Sequence, residues 1–353
     1  MLVSVTNEKL DNEIHRLCDL YSQGQFKKVL TETTQLLQRF PQSTALYIIE
    51  GDSNAKLKKL DAAIKSYAKA INLKPNFAAS HFNLGVILQD KGDLEAALES
   101  YKEALTINPD YLEAHYNMAT ALHENGDPKE AIKSYIKVLK INPQHSGSYN
   151  NMGNTLNDQG NFDAAIVCFE KAIKFDPIFA EAYNNKGTSL REKGQLDKSV
   201  ISFDKAISLK PDYLDAYCNK GISLNDQGKY WEALKSYNQA LKYDPDLFAA
   251  KSGKLHTKLD HCDWSEFDQL EAELKDLGIT TPAVNPFKFY SLEDHPERQL
   301  IRASKYVLKK HHEAAIPLPT RPKSKSGKIR IGYFSADFHS HPVANQIAQM
   351  LAL

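Results

Sequence analysis

Pro41, Pro75, Pro109, Pro143, Pro177, Pro211 and Pro245 stand 34 residues apart without a break. Proline removes a backbone donor and clashes with the preceding turn, so each one marks the end of a helix. A fixed period of this length excludes a single large core. Each unit is one supersecondary element too small to bury its own apolar face, and it does so by stacking on the next.

Six units run Thr44 to Phe77, Ala78 to Tyr111, Leu112 to His145, Ser146 to Phe179, Ala180 to Tyr213 and Leu214 to Leu247. In the unit from Ser146, Tyr149, Met152, Gly153 and Leu156 mark one face of a first helix, and Ala165, Phe169 and Ala172 one face of a second. Both sets have helical spacing. Gly160 falls between them, where a residue with positive φ can end the first helix. A helical pair of this period, closed by proline, is similar to the tetratricopeptide repeat (TPR).

Gly51, Gly85, Gly153, Gly187 and Gly221 recur at the eighth position of their units, inside the first helix. Glycine there costs about 1 kcal/mol relative to alanine. A recurring cost implies a recurring use, read here as close approach of the paired helix. That helix presents Ala63, Ala97, Ala165 and Ala233 opposite, with Tyr67, Tyr101, Phe169, Phe203 and Tyr237 beside them. Ala165→Leu is expected to cost about 1–3 kcal/mol by overpacking.

The domain reading follows. Residues 1–43 form a degenerate amino-terminal repeat and cap, in which Leu17, Val29 and Thr33 replace the usual glycine, alanine and ring. Residues 44–247 hold the six repeats. Residues 248–310 are expected to supply capping helices: Phe248 to Leu259, an amphipathic segment CDWSEFDQLEAELKDLG from Cys262 to Gly278, and a helix from Glu297 to His311. A proline- and lysine-rich linker fills 311–327, and 328–353 begin a different kind of fold.

Lys plus Arg and Asp plus Glu number 44 each, so no global field attracts nucleic acid or an anionic membrane. The basic cluster from Arg321 to Arg330 is read as a solvated linker. Cys18, Cys168, Cys218 and Cys262 form no CxxC pair, which argues against a zinc module or disulfide framework and suits a reducing compartment. With no basic leader before an apolar run and no long apolar stretch, a cytoplasmic protein is expected, nucleocytoplasmic in a eukaryote. His81 and His115 take the slot of Tyr47, Tyr149, Tyr183 and Tyr217; they are read as packing residues, and no metal site is expected.

The sixth position of five successive units is asparagine, at Asn83, Asn117, Asn151, Asn185 and Asn219. The thirteenth is acidic, at Asp90, Glu124, Asp158, Glu192 and Asp226. Asparagine is a mediocre helix former, so five in register want a reason. Each amide could serve the stack. Alternatively the column lines the concave surface and pairs with the backbone of an extended peptide. Register repeated across units favours the second, and Asn117, Asn151 and Asn185 replaced together by alanine are expected to weaken peptide binding with the helical melt nearly unchanged. A clamp for a terminal carboxylate would need lysine and arginine on this face. The slots hold Val86, Thr120, Asn154, Thr188 and Ile222, which argues against it.

KIRIGYFS, from Lys328 to Ser335, has the composition of a buried strand, and PVANQIAQMLAL reads as a helix with His341 at its N-cap. Strand, turn and helix in that order open a βαβ unit. The helix N-terminus disfavours imidazolium and keeps His341 able to accept a proton, as a general base must. A plain helix cap is the simpler reading of this residue, and a metal reading through Asp337, His339 and His341 is weak.

Repeats with in-register asparagines, CDWSEFDQL after them, and KIRIGYFSADFHSHPV after a proline-rich spacer resemble the protein O-GlcNAc transferases of glycosyltransferase family 41 and the SPINDLY proteins, which transfer fucose. The resemblance implies an all-α TPR superhelix (an α-solenoid) with a helical cap, followed by the first strand and helix of an α/β, Rossmann-like GT-B lobe. It implies UDP-GlcNAc as donor, Ser and Thr of protein substrates as acceptors, and an extended substrate chain along the concave face. It places an active-site histidine, with a proposed base role, at His341; a second histidine common in the family is Asn345 here. The chain reaches Leu353 without a visible phosphate cradle, so it is expected to hold no cofactor and not to turn over alone. Self-association is left open, as is a non-catalytic scaffold for assembling partners.

Overall fold

A computed structural model describes residues 2–261, 263, 279 and 296–311. The chain divides into two compact units, Met1–Leu274 and Lys275–Leu353. Among the described residues, fifteen helices occupy the first: α1 (Leu2–Ser22), α2 (Phe26–Arg39), α3 (Thr44–Lys56), α4 (Leu60–Leu73), α5 (Ala78–Lys91), α6 (Leu94–Ile107), α7 (Leu112–Glu124), α8 (Pro128–Ile141), α9 (Ser146–Asp158), α10 (Phe162–Phe175), α11 (Ala180–Glu192), α12 (Leu196–Leu209), α13 (Leu214–Asp226), α14 (Tyr230–Tyr243) and α15 (Phe248–Asp260). In the second, α16 spans Pro296–His311, and the Lys305 ammonium donates to the Ile279 carbonyl. No strand occurs among the described residues; Lys328–Ser335 and His341 lie outside them.

Local chemistry sets the ends of each helix. First helices stop at Gly24, Gly92, Gly126, Gly160, Gly194 and Gly228, all left-handed with φ between 71° and 86°. In the unit from Thr44, Lys58 takes this conformation instead, with φ 57°. Second helices start on side-chain caps where the sequence allows: Asp93 accepts from the Ala96 N–H, Asp127 from that of Glu130, and Asn161 from that of Ala164. Pro128 follows its cap at the first helical position, where its missing donor is not needed.

Each first helix packs on its second, each second on the next first, and first helices also touch the first helices of neighbouring units along α5, α7, α9, α11, α13 and α15. Along a curved stack, the row whose members touch is the inner one. The first helices therefore line the concave side.

The glycine column lets the paired helix approach closely, as expected, but it is the ring of that helix that makes the contact. A Cβ at Gly51, Gly85, Gly153, Gly187 or Gly221 would lie 2.6 Å from Cε1 of Tyr67, Tyr101, Phe169, Phe203 or Tyr237 respectively. The ring itself stands on the glycine, and the small residue opposite is secondary. In the amino-terminal cap the volumes are exchanged: Leu17 takes the glycine slot and Thr33 the ring slot, both fully buried. The cap's first helix, α1, begins at Leu2. At the other end Leu255 is buried in α15, while a Cβ at Gly253 would lie 2.4 Å from the Tyr237 ring. Tyr237 is thus held between Gly221 and Gly253, and a side chain at the sixth position of this last helix would collide with it.

Candidate functional site on the inner helix row

The asparagine column sits on the inner row, half-buried. Asn219 Nδ2 donates to Asn184 Oδ1 at 3.0 Å, and Asn184 Nδ2 to Asn185 Oδ1 at 3.3 Å. Asn185 Nδ2 donates to Asn150 Oδ1 at 3.1 Å, and Asn150 Nδ2 to Asn151 Oδ1 at 3.2 Å. Asn151 Nδ2 then donates to the Tyr116 hydroxyl at 2.8 Å. The result is one chain of amide hydrogen bonds through α13, α11, α9 and α7. Asn150 and Asn184 were not singled out in the sequence, although the doubled NN at 150–151 and 184–185 was a visible signal.

The earlier members bond differently. Asn117 reaches the Tyr101 hydroxyl, which burial pushes far above its ordinary acidity range. Asn83 Nδ2 donates to Asp52 Oδ1 at 3.3 Å, and the Tyr67 hydroxyl donates to the same oxygen at 2.5 Å. Burial raises the Asp52 carboxyl above the usual range, partly offset by the Tyr67 bond and by Lys56. Asp52 fills the slot held by Val86, Thr120, Asn154, Thr188 and Ile222 in later units and was missed in the sequence; an acid here adds to the case against a carboxylate clamp.

Two helical turns further on, the acidic row makes a second set of contacts between units. Gln89 Nε2 donates to Glu124 at 2.9 Å, and His123 Nε2 lies 2.9 Å from Asp158. Lys58 lies 3.9 Å from Asp90 of the next unit, whereas Glu192 bonds Arg191 within its own helix at 2.6 Å. These carboxylates are exposed, as is Asp226, so each pair is worth little by itself.

His81 and His115 each place Nε2 2.8 Å from the carbonyl oxygen of the proline closing the preceding unit, Pro75 and Pro109. That bond needs Nε2–H and serves packing between units. Among the described residues no group of three His, Cys, Asp or Glu side chains could hold a metal, and no helix is long and apolar enough to cross a membrane. Cys168 and Cys218 are free and buried, with thiols pushed up by burial to about 11 and about 12.

Among curated proteins none matches this chain. Solved structures resemble it. The C-terminal part of a TPR repeat-containing protein from Cytophaga hutchinsonii is 15% identical, covering 68% of this chain and 98% of its own at a TM-score of 0.56. PilW, a type IV pilus biogenesis factor, is 20% identical over 59% of this chain and 97% of its own, at a TM-score of 0.55. At these identities the likeness shows the fold alone. The MamA protein is 28% identical over 48% of this chain and 92% of its own, at a TM-score of 0.45. Family profiles described as TPR repeat match residues 51–92, 87–126 and 187–228. Those described as tetratricopeptide repeat match 112–145, 147–179 and 214–247, with a further match at 168–200. Taken together these matches run almost continuously through more than half the chain, which belongs to the tetratricopeptide-repeat family.

Proposed function

We propose that the array is a protein–protein interaction scaffold whose inner helix row holds an extended segment of a partner. The amide chain carries this reading. Asn151 and Asn185 each spend one N–H on the preceding repeat and one acceptor site on the adjacent asparagine of their own helix. An amide offers two of each, so each keeps one donor and one acceptor, the pair that a peptide backbone also presents. Bonds to the stack orient the amides before any partner arrives, which lowers the cost of ordering on binding. Its test is binding of extended peptides from an immobilised array by the whole chain and by its Asn117→Ala, Asn151→Ala, Asn185→Ala variant, at a temperature where both are folded. Loss of binding in the variant is expected, and equal binding by both would refute the reading.

A second reading rests on the motifs CDWSEFDQL and DFHSHP, which resemble the glycosyltransferase family. On it, the segments held by the inner row are acceptor substrates, UDP-GlcNAc or a fucose donor supplies the sugar, and His341 is the candidate base. Displacement at the anomeric carbon would need that base and stabilisation of the leaving diphosphate. Peptides selected by the array should then be rich in Ser and Thr. A selected set with no such enrichment would count against it.

A further inference from the structure

Outer grooves form where two successive second helices straddle the first helix between them. Two of them carry the same internal ion pair. Between α10 and α12, Lys186 of α11 bonds Glu170 at 2.8 Å; between α12 and α14, Lys220 of α13 bonds Asp204 at 2.6 Å. Each pair joins the seventh residue of one unit to the twenty-fifth of the unit before.

Between α6 and α8 both members are changed. Met118 replaces the lysine and Lys102 replaces the acid, in a cavity of 450 Å³. Lys137 and Lys140 also line it, and they make no ion pair among the described residues. Among the described residues, the acid paired with Lys102 is Glu99, 3.9 Å away on its own exposed helix face. The one acid in the lining is Asp110. His115 also lines this cavity; it is 5% exposed, and its Nδ1 has no hydrogen-bond partner. Leu105, Met118 and Ile141 make an apolar floor.

We infer that this groove binds an acidic, leucine-bearing segment of a partner protein, whose carboxylate stands where two later repeats keep their own, at Glu170 and Asp204. Three lysines against one aspartate give the charge complementarity. The apolar floor and a volume within the range of ordinary ligand sites favour an organic occupant over a bare anion. A carboxylate brought beside His115 also favours a proton on the unpartnered Nδ1. In the free protein burial holds this imidazole below its ordinary value, helped by Lys137 and opposed by the Pro109 bond and by Asp110. Its lysines lie on the second helices α6 and α8, whereas the asparagines lie on the first helices, and the site does not rest on their role.

The test is fluorescence anisotropy of a short peptide alternating glutamate with leucine, against the whole chain. Glutamate should bind and its glutamine counterpart should not. Lys102→Glu with Met118→Lys, which installs the ion pair of the two later grooves, should weaken binding about tenfold or more, as several exposed charge contacts together allow. Asn151→Ala with Asn185→Ala should bind as wild type, and the peptide should raise the His115 pKa followed by NMR. Equal binding of both peptides, no binding, full retention in the ion-pair variant, or displacement by inorganic phosphate at matched ionic strength would each overturn the proposal.

Discussion

Gly153→Ala tests the packing rule that repeats along the whole array. The new Cβ would lie 2.6 Å from Phe169 Cε1 and 2.9 Å from Cδ1 and Cζ. Carbon atoms settle at about 3.5–4.0 Å, so the ring must retreat by about 1 Å. It has little room, since Phe169 is fully buried. Overpacking of this kind costs about 1–3 kcal/mol, while alanine recovers about 1 kcal/mol of helix propensity. The net is a loss of up to about 2 kcal/mol, and Ala119, which sits in this slot opposite a still buried Tyr135, shows that the slot accepts a methyl where the ring has settled around it. Urea unfolding followed by circular dichroism measures the loss, with hydrogen exchange in α9 and α10 locating it, because repeats can open separately. Phe169→Leu should relieve the clash, so the double variant should be more stable than the two single losses added together. A Gly153→Ala protein that unfolds at a higher urea concentration than wild type would refute the reasoning.

Asn185→Ala and Asn219→Ala each remove a hydrogen bond between units and should cost about 1 kcal/mol by urea unfolding. They share Asn184 and Asn185 as a chain, so their effects should not add, and the triple alanine variant should melt below wild type, contrary to the sequence expectation. Burial lowers the pKa of both His115 and His145 below 6.5 in the folded protein. The unfolded chain then binds these protons first, so stability should fall as pH drops from about 7 through that range. His115→Tyr, the residue this slot carries at Tyr149 and Tyr183, should flatten the slope, and an unchanged slope would contradict the assignment. Maleimide labelling at pH 8 should mark exposed Cys18 while Cys168 and Cys218 stay unlabelled until denaturant is added, read by peptide mapping.

The sequence by itself determined the repeat. Proline, positive-φ glycine and the helical spacing of small and aromatic residues are local requirements, each visible within one unit. It also located the asparagine column and the acidic row, because a solenoid writes one surface at one offset. What only the tertiary structure decided lies between units. It put the rings directly on the glycines, turned α15 into a helix that needs Gly253, and joined Asn150 and Asn184 to the column. It also left Lys102, Lys137 and Lys140 around a groove that lacks the internal pair of the two later grooves, Lys186–Glu170 and Lys220–Asp204. The physical reason is distance along the chain: a propensity or a cap is set by neighbours a turn away, whereas a bond from Asn185 to Asn150 exists only once two repeats have stacked.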